Sequence, residues 1–194
     1  MTDVEIDVRS IPKPQKHPEI FRAFGELDVN ASLVLVNNHD PRHLRDEFTA
    51  EFPDGFGWTY LDRGPKEWRI RITKLASTSL PRILVDTNTL TGQLPDVSGA
   101  IWKLQMTERD LDANVVNLSA GQTIDRHQGP DLDVLIHVLY GDGRLQTERG
   151  EIALAAGMLV WLPKRSQRAF AAGTSGLQYL SVHPRRTGLL LQLG

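Results

Sequence analysis

The stretch GQTIDRHQGPDLDVLIHVLYGDG, running from Gly121 to Gly143, decides the fold. Its apolar run, Val134 to Leu139, lies between the turn residues Gly129-Pro130-Asp131 and a Gly141-Asp142-Gly143 reversal, so the block reads as two strands with their turns. Short strands flank it on both sides. Trp102, Leu104 and Met106 begin the series, and Val115 to Leu118 precede the block. Glu151 to Leu154, Met158 to Leu162, Ala169 to Ala171, Leu177 to Val182 and Leu189 to Leu193 follow it. Many short strands at close spacing, with almost no helical periodicity, predict a sandwich or barrel over residues 100–194.

The first part of the chain has a different rhythm. Val4, Ile6 and Val8 alternate with charged residues as in a half-buried strand. Pro18 then suits a first helical position, and Ile20, Phe21, Phe24 and Leu27 form an apolar helix face. Ser32 to Asn38 is an apolar strand, after which Asp40 caps a second helix begun by Pro41 and carrying Leu44, Phe48 and Phe52. Phe56, Trp58 and Tyr60, a turn at Asp62 to Pro65, and Trp68, Ile70 and Ile72 complete a hairpin. The resulting order, β-α-β-α-β-β, predicts a two-layer α+β sandwich over residues 1–75. A right-handed crossover makes the first two strands parallel, so both helix N-termini open on one edge and His17, His39 and His43 are candidates to converge there. Residues 76–99 read as a connector in which Ile83 to Val85 alone can form a strand.

Composition narrows the functional classes. The 194 residues carry a net charge of −2, which argues against nucleic acid as the main partner. The absence of cysteine excludes disulfides, thiolate nucleophiles and Cys-ligated metals. The first residues lack a signal-peptide layout, and no apolar run is long enough to span a bilayer, so the expectation is a cytoplasmic protein with no membrane partner.

Asp7-Val-Arg9, His17-Pro18, Asn38-His39-Asp40-Pro41 and Gly64-Pro65-x-x-Trp68 resemble the domain-of-unknown-function family 2249, whose members look like the TusA/SirA sulfur-relay fold. In sulfur-relay proteins Cys-Pro opens the first helix, whereas here His17-Pro18 stands in an analogous place, and persulfide transfer is chemically excluded. The resemblance links the first domain to proteins that also carry haemerythrin-like modules, and so implies redox or nitrogen-oxide physiology.

Residues 100–194 resemble the cupin superfamily, a β-barrel of the double-stranded β-helix or jelly-roll kind. In the first cupin frame Gly121, His127 and Gly141 match. The second histidine position holds Gly129, and the glutamate position falls on Val134, or on Asp133 with the shorter spacing. In the second frame Gly157 and Pro163 match, but Arg165, Arg168 and Ala172 replace the glycine, histidine and asparagine. The standard site for a divalent metal (Fe, Mn, Ni or Zn) is thereby reduced to His127, with His137 and His183 as the other metal candidates. Two-residue alternation turns His137 away from the face of Val134.

Two functions follow from different classes. The missing ligands favour a non-catalytic protein that binds or senses a small anionic or polar molecule, with His127, Arg168, Asp133 and Trp161 as ligand-binding candidates. Arg168, Arg165 and Lys164 could equally form a solvated basic edge, or pair with Asp125, Asp131 and Asp133. The alternative is a metal-dependent dioxygenase or isomerase using His127 with non-standard ligands. Cupins commonly dimerise through edge strands, so the resemblance also implies a homodimer through the second domain.

Overall fold

A computed structural model describes residues 4–91 and 98–185. The chain separates into two compact units, Met1–Arg82 and Ile83–Gly194.

The first unit has the expected element order: β1 (Val4–Asp7), α1 (Lys13–Glu26), β2 (Ser32–Asn37), α2 (Arg42–Glu51), β3 (Phe56–Arg63) and β4 (Trp68–Lys74). Its sheet runs β1-β2-β4-β3, with β1 parallel to β2 and the other pairs antiparallel. Leu33 and Leu35 of β2 lie opposite Ile72 and Ile70 of β4, and this apolar face packs against Ile20 and Phe24 of α1 and Leu44 and Phe48 of α2. An aromatic seam joins the helices: Phe21 stacks on Phe48 with centroids 4.5 Å apart, and Phe24 meets Phe48 edge-on at 5.0 Å.

The opposite face of β2 carries Val34 and Val36, which are also buried. They lie in register with Glu5 and Asp7 on one side and Arg71 and Arg69 on the other. Arg69 pairs with Glu5 at 2.5 Å, and Arg9 pairs with Asp7 and Glu67 at 2.6 Å each. Long charged side chains can cover valines with their alkyl stems while their heads remain in water. Hydrogen bonds from Arg9 hold the Asp7 carboxyl at about 2, well below its ordinary value.

The helix starts differ from the sequence expectation. α1 begins at Lys13, with Pro14 in its first turn, so Pro18 lies inside the helix and His17 one turn from its start. Pro14 satisfies the first-turn preference that the sequence reading assigned to Pro18. Asp40 does not cap α2. Pro41 is the N-cap residue, and the Asp40 carboxylate accepts bonds from Arg42 Nε at 2.8 Å and the Tyr60 hydroxyl at 2.9 Å. At the other end of α1, Lys74 Nζ donates to the Gly25 and Leu27 carbonyls at 2.7 Å each, which satisfies exposed helix-end acceptors.

The connector forms no strand at Ile83 to Val85. A short helix, α3 (Thr87–Thr91), follows instead, and Asp86 Oδ1 accepts from the Asn88 backbone N–H at 3.0 Å. Ile83 has no strand partner and is 91% exposed.

The second unit contains β5 (Gly99–Lys103), β6 (Leu111–Leu118), β7 (Thr123–Gln128), β8 (Val134–Gln146), β9 (Glu151–Ala155), β10 (Leu159–Leu162) and β11 (Gln167–Pro184). The expected strand at Leu189 to Leu193 lies outside the described residues. The strands do not close into the expected barrel. Among the described residues, one path runs β10-β8-β11-β6-β5, with β9 on β8 and β7 on β11. The two long strands serve two half-sheets: the first half of β8 pairs with β10 and the second with β9, while β11 pairs first with β7 and then with β6. The apolar faces of both halves meet in one core that includes Ile136, Val138, Leu145, Leu154, Phe170 and Leu177.

Nor does Gly141-Asp142-Gly143 reverse the chain, because β8 runs straight through it. These glycines serve close approach. A Cβ at Gly141 would lie 2.0 Å from the Gly176 carbonyl oxygen, and one at Gly143 would lie 2.5 Å from that of Ala171. The β8–β11 register shifts between Ala172 and Leu177, where β11 carries extra residues.

Phe48 is fully buried and touches aromatic rings on α1, on β3 and at the end of α2. Phe48→Ala is therefore expected to destabilise the protein by about 3–5 kcal/mol, measurable as a lower midpoint in urea unfolding.

Candidate functional site

In the second unit, β7, β8, β10 and β11 surround a cavity of about 240 Å³. Val134, Ile136, Leu162 and Phe170 make its apolar wall, while His127, Arg168, Tyr179, Ser181 and His183 supply polar groups. Alternation along β11 turns both Arg168 and Phe170 inward. Arg168 lies opposite His127 in the β11–β7 ladder. Two of the ligand-binding candidates named from sequence therefore share this cavity.

Arg168 is 4% exposed. Its Nη2 donates to the Pro163 carbonyl and the Ser166 hydroxyl at 3.2 Å each, and among the described residues no carboxylate pairs with it. The nearby aspartates are engaged elsewhere. Asp133 Oδ1 accepts from the Lys164 backbone N–H at 2.9 Å, and Asp131 pairs with Arg165 at 2.8 Å. Burial pushes the Arg168 pKa down, opposed by Tyr179. Burial pushes Tyr179 up to about 12, opposed by the Arg168 charge. A buried guanidinium without a counter-ion carries a desolvation cost that an anion could offset.

Gly129 explains how the guanidinium fits. A Cβ at this position would lie 1.7 Å from Arg168 Nη2, so the space of a missing side chain is filled by the arginine. Arg165, nearby in sequence, adopts a φ of 60°, a backbone region that favours glycine.

Of the remaining candidates in this unit, His183 belongs to the cavity lining, whereas Asp133, His137 and Trp161 do not. His137 follows the opposite alternation of β8, facing away from the core-facing Val134, Ile136 and Val138. Trp161 is 61% exposed and lies in register with the exposed Leu135. His127 Nδ1 donates to the Asp125 carbonyl and His183 Nδ1 to that of Pro184, both at 2.8 Å. These two imidazoles beside a permanent cation do not fit a resident divalent metal, which needs several converging neutral or anionic donors. No group of three His, Asp or Glu ligand atoms comes together in this unit among the described residues.

The first unit does assemble such a group. His17 Nδ1 lies 2.8 Å from Glu47 Oε2, and His43 Nδ1 lies 2.9 Å from Glu47 Oε1. The two imidazole centroids are 5.9 Å apart. His39 is not in the group; its Nδ1 donates to Asn38 Oδ1 at 2.7 Å. Sequence reasoning missed Glu47, although its place four residues after His43 on a helix was the available signal.

Residues 5–74 match the model of a family described as an uncharacterized conserved protein, DUF2249. The DUF2249 match thus covers nearly all of the first unit, including both histidines and Glu47. Among solved structures, the chain is similar to a cupin-2 domain containing protein from Shewanella frigidimarina. The identity is 16% over 53% of this chain and 95% of that one, with a TM-score of 0.42. A cupin superfamily protein from Desulfitobacterium hafniense is 14% identical over 54% and 94% of the two chains, with a TM-score of 0.42. A cupin protein from Bacteroides fragilis is 16% identical over 50% and 87%, with a TM-score of 0.40. No curated protein sequence matches the chain.

Two outcomes follow from this geometry. Gly129→Ala is expected to displace the Arg168 guanidinium and cost about 1–3 kcal/mol in urea unfolding, with most of that cost absent when Arg168→Met is already present. A double-mutant cycle measures the coupling. Tyrosines of the unfolded chain ionise near 10, whereas Tyr179 in the fold keeps its proton to about 12. Its contribution to stability is fully present below about 10 and is lost as pH rises through about 12. Thermal unfolding of Tyr179→Phe across that interval should show a shallower alkaline decline than the parent protein.

Proposed function

We propose that the second unit is a non-catalytic binding module for a small anionic metabolite bearing a carboxylate or phosphate. The observation that carries this reading is the buried Arg168 guanidinium, set in an apolar-walled cavity and lacking a carboxylate partner among the described residues. A guanidinium keeps its charge at any physiological pH and matches two oxygens of a carboxylate or phosphate. The volume of about 240 Å³ falls below the roughly 300–1,000 Å³ of pockets for drug-sized ligands, so the ligand is small. His127, His183 and Ser181 supply neutral hydrogen-bonding groups around it. The family match and the cupin-like structures are compatible with binding or regulation and specify no reaction.

Titration calorimetry with succinate, citrate, inorganic phosphate and a sugar phosphate tests the proposal. At least one of these anions is expected to bind the full chain, and Arg168→Met should weaken it by about 10–150-fold, as for a lost charge-assisted hydrogen bond worth roughly 1.5–3 kcal/mol. The same substitution should leave the melting temperature unchanged or raise it, because it removes an unpaired buried charge. Equal binding by the parent and Arg168→Met, or no binding of any of the four anions, overturns the reading.

A further inference from the structure

The first unit carries an independent site. We propose that His17, His43 and Glu47 form a zinc-binding site between α1 and α2. The ligand atoms of these three residues all lie within 4.8 Å of one another. Glu47 presents one oxygen to each imidazole, at 2.8 and 2.9 Å. Around a tetrahedral zinc with bonds of about 2.0–2.1 Å, neighbouring donors stand about 3.3 Å apart. Small side-chain rotations therefore bring the group to a coordinating geometry, and no helix has to move.

The helices hold the group in place. Phe21 lies four residues beyond His17 on α1, Phe48 follows Glu47 on α2, and their rings stack at 4.5 Å. That contact, with the Phe24–Phe48 edge contact, sets how α1 and α2 align and brings His17 against His43 and Glu47. A rigid base under the ligands lowers the ordering cost of binding. The side chains are nonetheless reachable from solvent, at 39% exposure for His17, 84% for His43 and 34% for Glu47.

The donor chemistry selects the metal class. Two imidazole nitrogens and a carboxylate suit zinc and its first-row neighbours, whereas calcium and magnesium prefer oxygen alone. On binding, each imidazole proton now shared with Glu47 moves from Nδ1 to Nε2 or leaves to solvent, and the Nδ1 lone pair turns to the metal. Three protein ligands leave a fourth tetrahedral position for water, as in zinc sites open to substrate. The chain's lack of cysteine removes any competing thiolate site.

The test uses untagged, full-length protein stripped with a chelator. It is titrated with zinc by calorimetry and with cobalt(II), whose visible absorption reports tetrahedral nitrogen and oxygen coordination. One equivalent of zinc is expected at micromolar or lower concentration. His43→Ala and Glu47→Gln should each weaken it by more than the roughly 10–100-fold typical of losing an outer partner of a metal site. Both positions are solvent-accessible, and circular dichroism checks that the variants remain folded. His39→Ala and His127→Ala are expected to bind zinc as the parent does. Failure to retain zinc at micromolar concentration overturns the proposal, as does binding that survives both His43→Ala and Glu47→Gln or is lost in His127→Ala. Anion binding through Arg168 is read separately and is unaffected by either result.

Discussion

The constraint on which the second unit depends is the close approach of β8 and β11 along their whole length. Gly141 and Gly143 let the two backbones come together where any Cβ would collide with a carbonyl, and the register shift after Ala172 bends the pair. Each long strand then serves two half-sheets, whose apolar faces enclose one core. The cavity at Arg168 lies between those two half-sheets. Its walls come from both halves, with Ile124 and Phe170 on one and Ile136, Leu162 and Tyr179 on the other. Neither Gly141 nor Gly143 lines that cavity, yet both lie on the strand pair that contributes most of its walls.

Burial makes Arg168 the most consequential side chain of the cavity. An exposed arginine would contribute little to either stability or selectivity. A nearly buried one, held by the Pro163 carbonyl and the Ser166 hydroxyl, opposes folding and favours an anion by the same desolvation. Tyr179 answers to the same low-polarity surroundings, with its proton held to about 12. The first unit solves its polar problems differently: its ion pairs lie outside, over Val34 and Val36, its buried Lys74 caps a helix, and the histidine–glutamate group rests on an aromatic seam between two helices.

Local pattern made most of the architecture legible. Strand alternation and aromatic spacing located β1 to β4 and both helices, and turn spacing located β6, β9 and β10. Proline was the source of one error, because Pro14 and Pro18 both suit a first helical turn and local rules do not rank them. Glycine was another: Gly141 and Gly143 look like a turn in one dimension, and the reason for them lies on β11, some thirty residues away. Arg168 and His127, read from separate stretches of sequence, are partners in the β11–β7 ladder, a pairing that no local pattern spells out. Glu47 escaped notice because carboxylates are common on helix surfaces, and its meaning depends on a partner from another helix. Lys74 was equally hidden, since a lysine ending a strand gives no hint that it caps α1.

The fit between Gly129 and Arg168 carries a consequence for how such a site can diverge. The guanidinium occupies the volume that a side chain at 129 would need, so an imidazole at 129 and an arginine at 168 exclude each other sterically as well as electrostatically. Positions 129 and 168 thus compete for one volume, and a larger residue at 129 beside Arg168 leads to a clash. Enlarging the residue at 129 therefore requires a smaller one at 168.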